Sequence, residues 1–120
     1  MTVRDVEACD GFEEELMVQL AGLTAKAAAG FLEMIDDLRH TDPEPENRCG
    51  VLNGNREVFR LPIPGDDKTN VVISIESPPS TRVDVHEISR QGFDEICQRM
   101  PRVVVRQLGC SASFTWESDR

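Results

Sequence analysis

GFEEELMVQLAGLTAKAAAGFLEMIDDLRH, residues 11–40, decides how the rest of this 120-residue chain is read. Its start and stop signals fit one helix. Asp10 stands at an N-cap position, with Glu13 three residues on in the spacing of a capping box. Glu13, Glu14 and Glu15 fill the first turn, where the helix dipole favours negative charge; Arg39 and His40 fill the last, where it favours positive. Gly22 and Gly30 are the internal break candidates. Thr24 is a possible cap for a second helix but has no Glu or Gln three residues later. The stretch predicts one long, amphipathic, acidic helix over residues 10–40.

On a helical wheel Phe12, Leu16, Leu20, Leu23, Ala27, Phe31, Met34 and Leu38 form a first apolar stripe. Met17, Ala21, Ala25, Ala28, Leu32 and Ile35 form a second beside it. Glu15, Lys26, Glu33, Asp36 and Asp37 lie opposite. The apolar surface covers more than half the circumference, whereas packing on one sheet uses only about 100°. A helix of this length runs roughly 44 Å, against a diameter of about 35 Å for a globule of this size. Either the helix folds back at Gly22, or it overhangs and pairs with a copy of itself. Self-association through the second stripe, as a homodimer, is the preferred expectation.

The remainder alternates like a sheet. Residues 41–50, with Pro43 and Pro45, read as a polar linker. Asn53-Gly54 marks a hairpin turn, and Pro62 and Pro64 restrict the strand at 58–63 to an edge. Residues 71–76 and 82–86 are the clearest strands. A five-residue loop sets Ile75 opposite Val83, Ile73 opposite Val85 and Glu76 opposite Arg82. A second helix runs from a Ser89 cap to Met100, with Phe93, Ile96, Cys97 and Met100 inward, and stops at Pro101. Residues 102–108 read as a central strand, and 111–117, around Phe114 and Trp116, as a final edge strand. The expected fold class is α+β in a single domain. Its helices cover one face of a mainly antiparallel sheet of four to five strands, in the order α-β-β-β-α-β-β, with an extra short strand at Val51 as an alternative.

The chain has 22 acidic and 13 basic residues, a net charge of -9. That disfavours binding to duplex DNA or an anionic membrane. The charge is lopsided: residues 1–47 hold twelve acids and three bases, and the rest ten of each. Glu13, Glu14, Glu15, Glu33, Asp36 and Asp37 are therefore candidate partner-binding residues, suited to a basic or apolar site on another protein. The cysteines, Cys9, Cys49, Cys97 and Cys110, form no C-x-x-C pair, and the first ten residues hold no apolar run. The expectation is a cytoplasmic protein with free thiols. Lys26 and Glu33 interrupt the one stretch long enough to span a membrane.

In size, acidity and element order the chain is similar to the small acidic chaperones of type III secretion. No motif carries the likeness, and the C-terminal helix usual in those chaperones has no counterpart here. The resemblance implies a dimeric, cytoplasmic protein that binds an effector.

Chemistry-bearing residues are few. His86 sits in Asp84-Val85-His86-Glu87, where alternation places it on the outer sheet face as a surface histidine. Cys97 falls on the apolar side of its helix. Cys110 begins CSAS after Gly109, between strands rather than at the strand-to-helix turn of a nucleophile elbow. The cysteine spacing offers no zinc site, and no glycine loop suits a phosphate. Arg90, Arg99, Arg102 and Arg106 form a basic group best read as salt-bridging. No cofactor or metal is expected. The leading expectation is a non-enzymatic protein-binding protein of chaperone, adaptor, immunity or inhibitor type. The alternatives are an acidic nucleic-acid mimic and a small enzyme using His86 or Cys110.

Overall fold

A computed structural model describes residues 4–76, 82–109 and 114–119. In chain order the elements are β1 (Asp5–Ala8), α1 (Glu13–Ala21), α2 (Ala25–His40), a 3-10 turn (Pro45–Asn47), β2 (Arg48–Leu52), β3 (Arg56–Ile63), β4 (Asp66–Glu76), β5 (Arg82–Ser89), α3 (Phe93–Gln107) and β6 (Trp116–Ser118). Among the described residues the fold is α+β, with a six-stranded mixed sheet in the order β1-β5-β4-β3-β2-β6. β1 runs parallel to β5, and the other pairs are antiparallel. The strand count and element order expected from the sequence are corrected by this. The likeness in element order to the secretion chaperones goes with them, because the order now begins with a strand and sets two helices in succession.

The long helix is two helices. Gly22 ends α1 and Thr24 opens α2 with an extended backbone. Thr24 Oγ1 accepts the Ala27 N–H at 3.1 Å. The hydroxyl half of a capping box is enough. Asp10 does not cap α1; Phe12 holds that position, and Asp10 pairs with Arg82 instead. The break lets Leu16 and Leu20 of α1, and Leu23 between the helices, reach the same core as Phe31, Met34 and Leu38 of α2. That core lies on one sheet face, over Phe59, Leu61, Val71, Ile73, Val83 and Val85. Gly30 brings α2 against the β3–β4 turn, where a Cβ would collide with the Pro64 carbonyl oxygen and come 2.9 Å from Ile63 Cγ2. The longer of the two helices has 16 residues, about 24 Å at 1.5 Å per residue, and fits within extents of 40 × 34 × 28 Å, so neither helix overhangs the fold.

The opposite face is covered too, by α3, so the helices are not confined to one side. Leu52, Val58 and Val72 meet Ile96, Met100, Val104 and Val105 there. The predicted strand at 102–108 is mostly the second half of this helix. Pro101 lies inside it. A proline costs one N–H, the one that would bond the Cys97 carbonyl, and the ladder resumes beyond it. Two buried valines and Gln107 then fall on the inward side at helical spacing. Gly92 is its N-cap, while Ser89 ends β5.

The hairpin at Asn53-Gly54 forms as expected, with both residues at positive φ. Ile75 faces Val83 and Ile73 faces Val85, also as expected. β3 is interior rather than an edge; Pro62 still pairs with Asn70, and the register slips just beyond it, where Ile63 meets Asp66. A second irregularity matters more. Val72 pairs with Glu87 and Ile73 with Val85, so His86 is an extra residue in β5. This bulge shifts the alternation and turns Ile88 into the first core. The stretch 41–50 holds the 3-10 turn and the start of β2. Part of the strand predicted at 111–117 and Cys110 lie outside the described residues, and β6 is its described remainder.

The free-thiol expectation is contradicted for two cysteines. Cys49 of β2 and Cys97 of α3 are disulfide-bonded, with Cα atoms 5.0 Å apart. They are 48 residues apart in sequence and meet only because α3 lies across β2. Cys9 is a buried free thiol. Among the described residues no helix is long and apolar enough to cross a membrane.

Candidate functional site

Two places carry unusual chemistry: the outer face of α1 and α2, and a polar cluster under the C-terminal end of α3.

α1 has no buried residue and rests on the sheet by one side. Its outward side holds Met17, 63% exposed, and Val18, 74% exposed. Leu32 of α2 is 65% exposed. Ala21 and Ala25 are exposed with them, while Ala28 and Ile35 are half-buried and Ile35 packs on the core. The second stripe is thus divided. The acidic residues chosen from the sequence, Glu13, Glu14, Glu15, Glu33, Asp36 and Asp37, are all exposed. Val18 belongs with Met17 and was missed because it falls on neither wheel stripe.

The polar cluster corrects the reading of His86 as a surface residue. α3 covers that face, and His86 is 4% exposed. Gln107 Nε2 donates to the His86 main-chain carbonyl at 3.1 Å. Its Oε1 is then the acceptor for His86 Nδ1, at 2.7 Å. With the proton on Nδ1, Nε2 accepts the Ser74 hydroxyl at 2.7 Å. Ser74 Oγ in turn accepts from Arg56 Nη1 at 2.9 Å. The donors run in one direction, from Arg56 through Ser74 and His86 to Gln107. Burial pushes the His86 pKa below its ordinary value, outweighing the opposing pull of Gln107 and Asp84.

Asp84 completes the cluster. It accepts from Arg56 at 3.1 Å and from Arg82 Nε at 2.8 Å. Arg82 also reaches Glu7 and Asp10, tying β1 and its following turn to β5. The Cys9 thiol contacts the Gln107 carbonyl at 3.7 Å, and burial raises its pKa, keeping it protonated. Ser74, His86 and Gln107 stand in the order nucleophile, base, orienting group. Yet Ser74 is wholly buried and both ring nitrogens are engaged, so the line binds helix to sheet. Spacing alone could not have found Gln107, because its stretch reads as a strand.

The basic group is dispersed. Arg99 bonds Gln91 and Glu87, while Arg90, Arg102 and Arg106 are exposed. A cleft of about 420 Å³ opens along the N-terminal half of α3, lined by Asp94, Cys97, Gln98, Pro101, Trp116 and Ser118. Among the described residues no group of three or more His, Cys, Asp or Glu is placed to hold a metal. Compared with known proteins, the chain matches no family model, no curated protein and no solved structure.

Proposed function

We infer that this protein works by binding another protein, as a chaperone, adaptor, immunity protein or inhibitor does, and that the outer face of α1 and α2 is its docking surface. One observation supports this reading above others. Three large apolar side chains, Met17, Val18 and Leu32, stand 63–74% exposed on the helical layer that also displays Glu13, Glu14, Glu15, Glu33, Asp36 and Asp37. Exposed apolar side chains gain by being covered. The exposed carboxylates on the same two helices select a partner with basic groups and speed its approach. A symmetric homodimer through this face would set the same acids against each other. The favoured partner is therefore a different chain. The burial of His86 supports a binding role over an enzyme that uses it.

The test compares the wild-type protein with a Met17→Asp, Leu32→Asp variant, both tagged and exposed to an extract of the source cells at moderate salt. A stoichiometric basic partner held by the wild type and lost from the equally folded variant is the expected result. Unchanged capture by the variant would sink the assignment of this face. If reversing Glu13, Glu14, Glu15, Asp36 and Asp37 abolishes binding to a DNA-binding protein while the apolar variant keeps it, the surface acts as an acidic nucleic-acid mimic. A homodimer by sedimentation that the Leu32→Asp change dissolves would instead establish self-association.

A further inference from the structure

We propose that the Cys49–Cys97 disulfide is a redox-operated clamp on the N-terminal half of α3, and that Pro101 is the hinge about which that half lifts when the bond is reduced. The proposal does not depend on the docking face. Four observations carry it. The disulfide ties α3 to β2, an element far away in the chain. Pro101 lies inside α3 and has no N–H to offer the Cys97 carbonyl, so the helical ladder is interrupted just beyond the clamp. The C-terminal end of α3 has its own attachment, the Gln107–His86 pair, on the far side of the hinge. Finally, Cys97 lines the 420 Å³ cleft beside Trp116, whereas Cys49 is fully buried.

These features divide α3 into two parts. Residues 102–107 stay fixed by Val104, Val105 and the Gln107 amide. The first part is held by Ile96 and Met100 in the core, by Arg60 over the Phe93 ring at 4.5 Å, by Arg99 on Glu87, and by the disulfide. Of these attachments the disulfide is the covalent one, and it faces a cleft wide enough for a small thiol. A dithiol thiolate attacks the Cys97 sulfur, and Cys49 leaves as a thiolate. The second thiol of the reagent then closes its own disulfide and releases Cys97 as a thiolate. Two electrons and two protons pass from the dithiol to the protein. The loss of the cross-link raises the population of states in which the first part is open.

Hydrogen–deuterium exchange of the full chain, oxidised and then reduced with dithiothreitol in native buffer, tests this. Amides of 93–100 should exchange roughly tenfold or more faster after reduction, with 102–107 and the sheet little changed. A Cys49→Ser, Cys97→Ser variant should show the same pattern without reductant. In the reduced protein Pro101→Ala, which restores the missing N–H, should slow exchange of 93–100 again. Three results would overturn the proposal: a bond that dithiothreitol opens only in denaturant, exchange that rises evenly over the whole chain, or a serine variant that fails to fold. Each would make the bridge a staple of the whole fold. Fast exchange in 93–100 that Pro101→Ala does not slow would remove the hinge.

Discussion

Gln107 grips His86 at two points, accepting from the ring at 2.7 Å and donating to the main chain at 3.1 Å. The pair fixes the ring tautomer and docks the last turn of α3 onto β5. It also makes that docking depend on a neutral imidazole.

Stability should therefore fall in mild acid. In the unfolded chain His86 takes a proton near its ordinary pKa, about 6.5. In the folded chain burial lowers that value, so below pH 6.5 the unfolded state binds more protons. The stabilisation is complete above pH ~7 and is lost as pH falls from 6.5 toward the folded-state pKa. Urea midpoints measured from pH 8 to pH 5 should hold steady and then decline. The decline should be shallower in His86→Asn, and an equal slope in both proteins would show that the ring is not responsible.

Asp84 should matter far more than Glu76, although Arg56 pairs with both. The Asp84 side chain is 10% exposed and lies between two guanidiniums; that of Glu76 is 57% exposed. Asp84→Asn leaves the arginines facing each other and should cost about 3 kcal/mol. Glu76→Gln should cost about 1 kcal/mol at most. Chemical denaturation of the two variants gives the comparison.

Two glycines of the helical pair should respond in opposite ways to alanine. At Gly30 a Cβ meets the Pro64 carbonyl, which is backbone and cannot swing aside. Gly30→Ala should destabilise by about 2 kcal/mol despite alanine's better helix propensity. At Gly22 the nearest atom is the Gln19 carbonyl oxygen, at 3.5 Å, and φ is -80°. Gly22→Ala should be neutral or stabilising by up to about 1 kcal/mol. Thermal melts of both variants suffice.

Thr24→Ala should cost about 1 kcal/mol through the lost cap on Ala27. Asp10→Ala should cost less, because Asp10 is exposed and joins Arg82 rather than capping α1. Exchange of the Ala27 amide should quicken in the first variant alone.

Local pattern carried a good part of the fold. The Asn53-Gly54 turn was legible because positive φ selects those residues. The Ile73–Val85 and Ile75–Val83 register was legible because a one-residue slip would turn every side chain over. β1 was not legible: Asp5–Ala8 is four residues long and joins the sheet by pairing with a strand more than seventy residues away. The second half of α3 was misread because a proline followed by three valines favours a strand by propensity, while burial against Val58 and Val72 favours a helix.

The candidate surfaces divide in the same way. The acids of α1 and α2 are exposed as their charge requires, and a reader of the chain alone can choose them. What covers the second face of the sheet is a different matter. Alternation places Asp84 and His86 together, but it is silent on what covers them. α3 covers His86 through Gln107, Arg56 and Arg82 enclose Asp84, and the crossing of α3 over β2 brings Cys49 to Cys97. Composition and periodicity act between near neighbours and are written in the chain. Burial, pKa and disulfide pairing depend on which distant element arrives, and packing makes that choice.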